Sequence, residues 1–151
     1  MTSTLLLARH GRADGMHAEA SLTHEGESAV RRLAARLLAE ALPPDAACVS
    51  PYRRARQTMA GLLLGLDSRI EPQVVSDLMP DSEADEALLA LQAHGLGTGR
   101  LLVVSHMPLV SAITRRLTGE DHGFMPGHLV EIALEEGAKH GRLLRAFPPA
   151  D

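Results

Sequence analysis

The chain changes its hydrophobic period several times, and each change predicts an element. Residues 4–8 form a short continuous apolar run, the pattern of a strand buried on both faces. From Thr23 the spacing becomes three and four. Val30, Leu33, Leu37 and Ala41 recur, with Ala34 and Leu38 beside them, which predicts a helix capped by Thr23 and ended by Pro43-Pro44. AACVS (46–50) predicts a second strand, and residues 53–64 a second helix stopped near Gly65. Residues 70–75 read as a short strand, and 82–94 as a helix with Ser82 as its cap. The loop HGLGTG (94–99) leads to the clearest strand, RLLVVS (100–105). A helix over 107–117 follows, ended by Thr118-Gly119. LVEIAL (129–134) alternates as a half-exposed strand does, and GRLLRAF (141–147) reads as its hairpin partner at a sheet edge. This order of strands and helices predicts a three-layer α/β/α fold, its sheet mainly parallel with an antiparallel C-terminal edge. Without internal repeats or a linker, residues 1–151 read as one domain.

Composition narrows the picture. The chain is 45% hydrophobic but only 2% aromatic and lacks Trp, so Leu, Ala, Val, Ile and Met must build the core. A net charge of −4 argues against a general nucleic-acid or membrane-surface binder. Lys139 is the one lysine among 15 basic residues, so nearly all positive charge is guanidinium. Cys48 stands alone, which excludes an intrachain disulfide. Neither a signal-peptide pattern nor a membrane-length apolar segment is present, and the chain reads as cytoplasmic.

Three strands hand over to polar motifs: ARHG after the first, SPYRRARQT after the second, SHMP after the run 100–105. In open α/β sheets, ligands bind beyond the carboxyl ends of the strands, where helix N-termini also point. Arg9, His10, either Arg53 or Arg54, and His106 are therefore expected to converge. Helical spacing prevents Arg53, Arg54 and Arg56 from all facing one site. Phosphoryl transfer suits such a pocket. Guanidinium groups bind phosphoryl oxygens in pairs and stabilise charge through the transition state. Neighbouring cations are expected to keep His10 neutral, with a lone pair for attack on phosphorus. Gly11 would let the substrate approach closely. His106 would donate a hydrogen bond or proton to the same phosphate. Met79, Met107 and Met125 read as core or pocket wall, and His24 and His122 as possible rim residues. The scattered histidines lack metal-ligand spacing, and no metal or cofactor is expected.

The chain resembles the histidine phosphatase superfamily, the phosphoglycerate-mutase-like group, and within it the small bacterial phosphohistidine phosphatases of the SixA type. Arg9-His10-Gly11, LTHEG (22–26), SPYRRARQT (50–58), DLMP (77–80) and LLVVSHMPLV (101–110) carry the resemblance, which fades after about residue 118. It implies a phosphoglycerate-mutase-like fold. His10 would be the residue that becomes phosphorylated, Arg9 and Arg54 would bind phosphate, and His106 would be the second histidine. Many relatives place a glutamate acid where this chain reads Leu78-Met79-Pro80, and SixA-type members share that departure. An alkoxide leaving group needs a proton from the enzyme, whereas phosphohistidine protonated on its other ring nitrogen leaves as neutral imidazole. Losing the acid should therefore penalise phosphoesters more than phosphoramidates. Asp77, Asp81 and Glu83 are near enough in sequence to serve as acids, though solvated charges explain them more simply.

The expected activity is hydrolysis of phosphohistidine on a phosphotransfer domain or phosphocarrier protein, through a phosphoenzyme. A small phosphomonoester is the alternative substrate. A non-catalytic phosphohistidine-binding module is a third reading, disfavoured because all four phosphate-facing candidates are present.

Overall fold

The computed structural model describes residues 3–149. In chain order it contains β1 (Ser3–Arg9), α1 (His24–Ala39), β2 (Ala46–Val49), α2 (Arg53–Gly65), β3 (Gln73–Val74), α3 (Ala84–Gln92), β4 (Arg100–Ser105), α4 (Leu109–Thr118), β5 (Leu129–Leu134) and β6 (Gly141–Phe147). A 3-10 turn at Ser76–Leu78 precedes α3. The six strands form one sheet in the order β3-β2-β4-β1-β5-β6. β3, β2, β4 and β1 run parallel, and β5 and β6 add antiparallel to the other side of β1.

Strand pleating divides the core in two, because successive side chains point to opposite faces. Leu6, Ala8, Val49, Leu102 and Val104 pack with Val30, Leu33 and Leu37 of α1 and Met59 and Leu62 of α2. Leu5, Leu7, Cys48, Leu101 and Val103 pack on the other face with Leu88 and Leu91 of α3 and Val110 and Ile113 of α4. The three layers predicted from the sequence are the ones observed. Among the described residues, no helix is long and apolar enough to cross a membrane.

Local chemistry fixes the element ends. Thr23 caps α1, its hydroxyl accepting from the Gly26 amide at 3.0 Å. Gly119, at φ 77°, closes α4 in the left-handed conformation that favours glycine. Other details depart from the sequence reading. α3 starts at Ala84 behind Glu83 rather than at Ser82, whose hydroxyl instead accepts from the Met79 amide at 3.1 Å. α4 starts at Leu109, with Pro108 in the N-cap position and no side-chain cap, and Met107 stays outside the helix as a residue before proline tends to.

Strand β5 is not half-exposed. It lies inside the sheet between β1 and β6, and Glu131 is buried in an ion pair with Arg145, Nε to Oε1 at 2.6 Å. A charge placed there by alternation is neutralised by its neighbour on β6, which is the strand that meets solvent.

Candidate active site

The register of the sheet creates the site. Arg9 at the end of β1 lies beside Ser105 at the end of β4. The next residues, His10 and His106, therefore leave the sheet side by side, with ring centroids 5.0 Å apart. The His10 amide donates to the Ser105 carbonyl at 3.0 Å, and Ser50, just past β2, donates its amide to Val104 at 3.2 Å. The three motifs separated along the sequence thus share one edge of the sheet. Helices α2 and α4 begin there with neither a side-chain cap nor an acidic residue in the first turn. α1 and α3 do carry acidic residues in their first turns. The Arg53 amide already donates to the Ala18 carbonyl and the Val110 amide to the His106 carbonyl, each at 2.9 Å, so these helix ends favour an anion through their dipoles and the absence of acidic charge rather than through a row of free amides.

His10 is 7% exposed. Its Nδ1 lies 2.7 Å from the Gly11 carbonyl oxygen. A carbonyl only accepts, so Nδ1 carries the hydrogen and Nε2 carries the lone pair. Arg54 Nε–H donates to that Nε2 at 3.2 Å, consistent with the assignment. Burial pushes the His10 pKa down to about 4, aided by the Arg54 and Arg9 charges and opposed by the Gly11 hydrogen bond. The ring is neutral, as expected, but burial rather than its cationic neighbours is the larger cause.

His106 is 1% exposed, and its pKa is lowered to about 3 by burial, with His10, Arg54 and Arg9 adding to the effect. Its Nε2 lies 2.7 Å from Ser50 Oγ, and the Tyr52 ring meets it edge-on at 4.8 Å. Its Nδ1 is buried with no hydrogen-bond partner.

One of the three neighbouring arginines turns inward, the Arg54 that the family resemblance implied. Arg54 is 5% exposed, while Arg53 and Arg56 are exposed, Arg56 turning back to the Pro51 carbonyl at 2.9 Å. Arg54 Nη1 donates to the Met16 and His17 carbonyls at 3.3 and 2.9 Å, and its guanidinium stacks 4.8 Å from the Tyr52 ring centroid. These contacts use Nε and Nη1 and leave Nη2 free of any hydrogen bond from the described residues. Arg9 is held by Nη1 donating to the Phe124 carbonyl at 2.8 Å, and its Nε is buried without a partner. Two buried nitrogens without partners, the Arg9 Nε donor and His106 Nδ1, thus accompany Nε2 of His10. Such a set is built to receive oxygens of an anion.

These residues line a cavity of about 340 Å³ with Arg12, Ala13, Gly15, Met16, Tyr52, Pro80, Met107 and Pro126. Its lining contains no Asp or Glu, so Asp77, Asp81 and Glu83 stand outside it. Pro80 lies in its wall, and Met16 stands at its edge 87% exposed. A larger groove of about 590 Å³ between α1 and α2 is lined mainly by apolar groups such as Val30, Leu38 and Leu64. Its size is not matched by convergent polar chemistry.

Some expectations are corrected. Gly11 is small because α1 packs on it, not to admit substrate: an added Cβ would come within 3.3 Å of the Gly26 carbonyl oxygen, Leu22 and Val30. Met125 is exposed rather than a core residue, while Met107 does line the cavity. His24 is exposed outside the lining, and His122 pairs with His128, Nε2 to Nε2 at 3.2 Å. Among the described residues, no cluster of three or more His, Cys, Asp or Glu could hold a metal. Ser50, Tyr52 and Thr58 were visible within SPYRRARQT but received no separate role. Thr58 ties the motif together by accepting from the Gly11 amide at 3.0 Å and donating to the Arg54 carbonyl at 2.8 Å. Phe124 and Pro126 lie beyond the recognisable motifs and gave no signal.

Two buried neutral imidazoles make stability pH-dependent. An unfolded histidine takes up its proton near pH 6.5, whereas His10 and His106 do so only near 4 and 3 when folded. As pH falls below about 6.5 the unfolded chain gains protons first, and stability declines by up to about 1.4 kcal/mol per unit for each residue. Urea unfolding at pH 7 and 4.5 should show that decline, with a shallower slope in the His10→Gln, His106→Gln double variant. Equal slopes would contradict neutral burial of the pair.

The histidine phosphatase superfamily (branch 1) model matches residues 5–79. The structure of the protein histidine phosphatase SixA complexed with tungstate superposes with a TM-score of 0.89 and 27% identity, over 97% of each chain. A structure from Nakamurella multipartitia bearing the phosphohistidine phosphatase SixA name gives 0.84 and 22%, over 100% of this chain and 98% of that one. Mycobacterial glucosyl-3-phosphoglycerate phosphatase gives 0.71 and 16%, over 95% and 97%. The last two likenesses speak for the fold alone. Comparison with curated protein sequences found no match.

Proposed function

This chain belongs to the histidine phosphatase superfamily, and from that premise we propose that it is a protein phosphohistidine phosphatase working through a phosphorylated His10. The observation that carries the reading is a buried, neutral His10 whose Nε2 lone pair accepts, among the described residues, from Arg54 Nε alone, beside the unpartnered Arg9 Nε and His106 Nδ1.

The chemistry follows from those atoms. Arg9 Nε, Arg54 Nη2 and His106 bind the phosphoryl oxygens. His10 Nε2 attacks phosphorus in line, and the substrate's P–N bond breaks with its electron pair returning to the substrate imidazole. That ring, protonated on its other nitrogen, leaves neutral. The phosphorylated His10 keeps its Nδ1–H on the Gly11 carbonyl, which spreads the positive charge the ring acquires. Water then attacks phosphorus and loses a proton to a phosphate oxygen or solvent. His10 departs with its lone pair restored, ready for another cycle.

The acid-free lining supports phosphohistidine over an ester as substrate. Pro80 occupies the wall where an acid would protonate an alkoxide, and a phosphoramidate leaving group needs no such proton. The relative solved with tungstate, a tetrahedral oxyanion like phosphate, supports phosphoryl binding in such a site, and its name as a protein histidine phosphatase supports the choice of substrate. Phosphotransfer domains and phosphocarrier proteins present phosphohistidine on an accessible surface, and the exposed Met16 offers such a protein an apolar contact at the rim.

Comparing kcat/KM for a phosphohistidine protein with that for sugar phosphates tests the assignment. We expect at least a hundredfold preference for the phosphoprotein, on the scale of one general-acid contribution. Greater efficiency on an ester would overturn it in favour of a small-molecule phosphatase. Binding of phosphohistidine without single-turnover hydrolysis would make the protein a binding module instead.

A further inference from the structure

The geometry points to Ser50 as a positioning residue that sets the tautomer of His106, so that Nδ1–H rather than a lone pair faces a bound phosphoryl group. This rests on the phosphoryl-transfer reading above and specifies which atom of the second histidine does the binding.

The assignment is a hydrogen-bond count. Ser50 is fully buried, and its hydroxyl has two neighbours: the Tyr52 amide at 3.2 Å and His106 Nε2 at 2.7 Å. An amide only donates, so Oγ accepts from Tyr52. The hydroxyl still has one hydrogen to place. Donating it to His106 Nε2 satisfies the group, puts the imidazole hydrogen on Nδ1, and leaves that N–H as a buried donor without a protein partner. In the opposite tautomer His106 would donate to Ser50. The serine hydrogen would then have no acceptor, and an unshared nitrogen lone pair would stand beside the phosphate.

Ser50 does not line the cavity and His106 does. With Nε2 turned to the serine, Nδ1 is the remaining polar atom of the ring for a ligand. The two imidazoles then carry their hydrogens on the same atom for opposite ends. The Gly11 carbonyl fixes Nδ1–H of His10 and frees its Nε2 to attack, whereas Ser50 occupies Nε2 of His106 and frees its Nδ1–H to donate. Both are set by neighbours on the same sheet edge, before any substrate arrives.

The test reads the proton directly. Nitrogen-15 NMR of the His106 ring in the wild-type protein at pH 7 is expected to place the proton on Nδ1; a proton on Nε2 overturns the assignment. In Ser50→Ala the ring should lose that fixed preference, and affinity for inorganic phosphate should fall about tenfold, the scale of one hydrogen bond to a charged group. Retention of the Nδ1 proton, or unchanged phosphate affinity, would also overturn it. In a His106→Gln background, Ser50→Ala should cost little further phosphate affinity, since the serine acts through the ring. Equal losses in both backgrounds would reveal a merely structural serine. These readouts use phosphate and the resting protein, so failure to hydrolyse phosphohistidine would sink the substrate assignment and leave this one standing.

Discussion

A His10→Ala variant is expected to lose turnover by on the order of 10⁴-fold or more, because the group that forms the bond to phosphorus is removed rather than weakened. Two features make His10 the expected point of attachment. Its Nδ1 hydrogen is committed to the Gly11 carbonyl, and its burial holds the ring neutral at any pH well above about 4. Quenching the wild-type enzyme during turnover of a phosphorus-labelled substrate should therefore trap label on His10, stable to alkali and lost in acid, as a phosphoramidate is. The alanine variant should retain none. Label elsewhere in the chain, or a variant within tenfold of wild type, would remove His10 from the mechanism.

Arg54→Ala is expected to lower kcat by roughly 10³-fold, the scale of losing a preorganised cationic donor to a transferring phosphoryl group. The cost has two sources. Arg54 faces the reacting nitrogen through Nε, and it ties the loop at Met16 and His17 to the site through Nη1. Lysine offers a single point charge and cannot make these contacts at once, so Arg54→Lys should recover only part of the rate. The adjacent Arg53 is exposed, and Arg53→Ala should stay near wild type. Should Arg53→Ala prove the more damaging of the two, the orientation of α2 assigned here would be wrong for the working enzyme.

The ends of the elements show why some features were legible in sequence and others were not. Thr23 and Gly119 act through backbone groups a few residues away, so their sequence signals were sufficient. Ser82 carried the same kind of signal and failed, because the nearby Met79 amide competed for its hydroxyl. Alternation in 129–134 indicated a strand, but its burial depended on β6 lying outside it. Gly11 was noticed for the right reason, lack of space, and assigned to the wrong neighbour, since the chain that fills the space arrives from α1.

By itself the sequence determined the alternation of strands and helices, the three-layer class and the residue types that can hold a phosphoryl group. These follow from periodicity and from side-chain chemistry, both carried locally by the chain. The resemblance of SPYRRARQT to the family motif already pointed to Arg54 over Arg53; only the tertiary structure decided that burial more than charge keeps His10 neutral, and that the Gly11 carbonyl holds its hydrogen on Nδ1. Desolvation and hydrogen-bond partnership depend on groups brought together across dozens of residues, and they come into being when β1, β2 and β4 align.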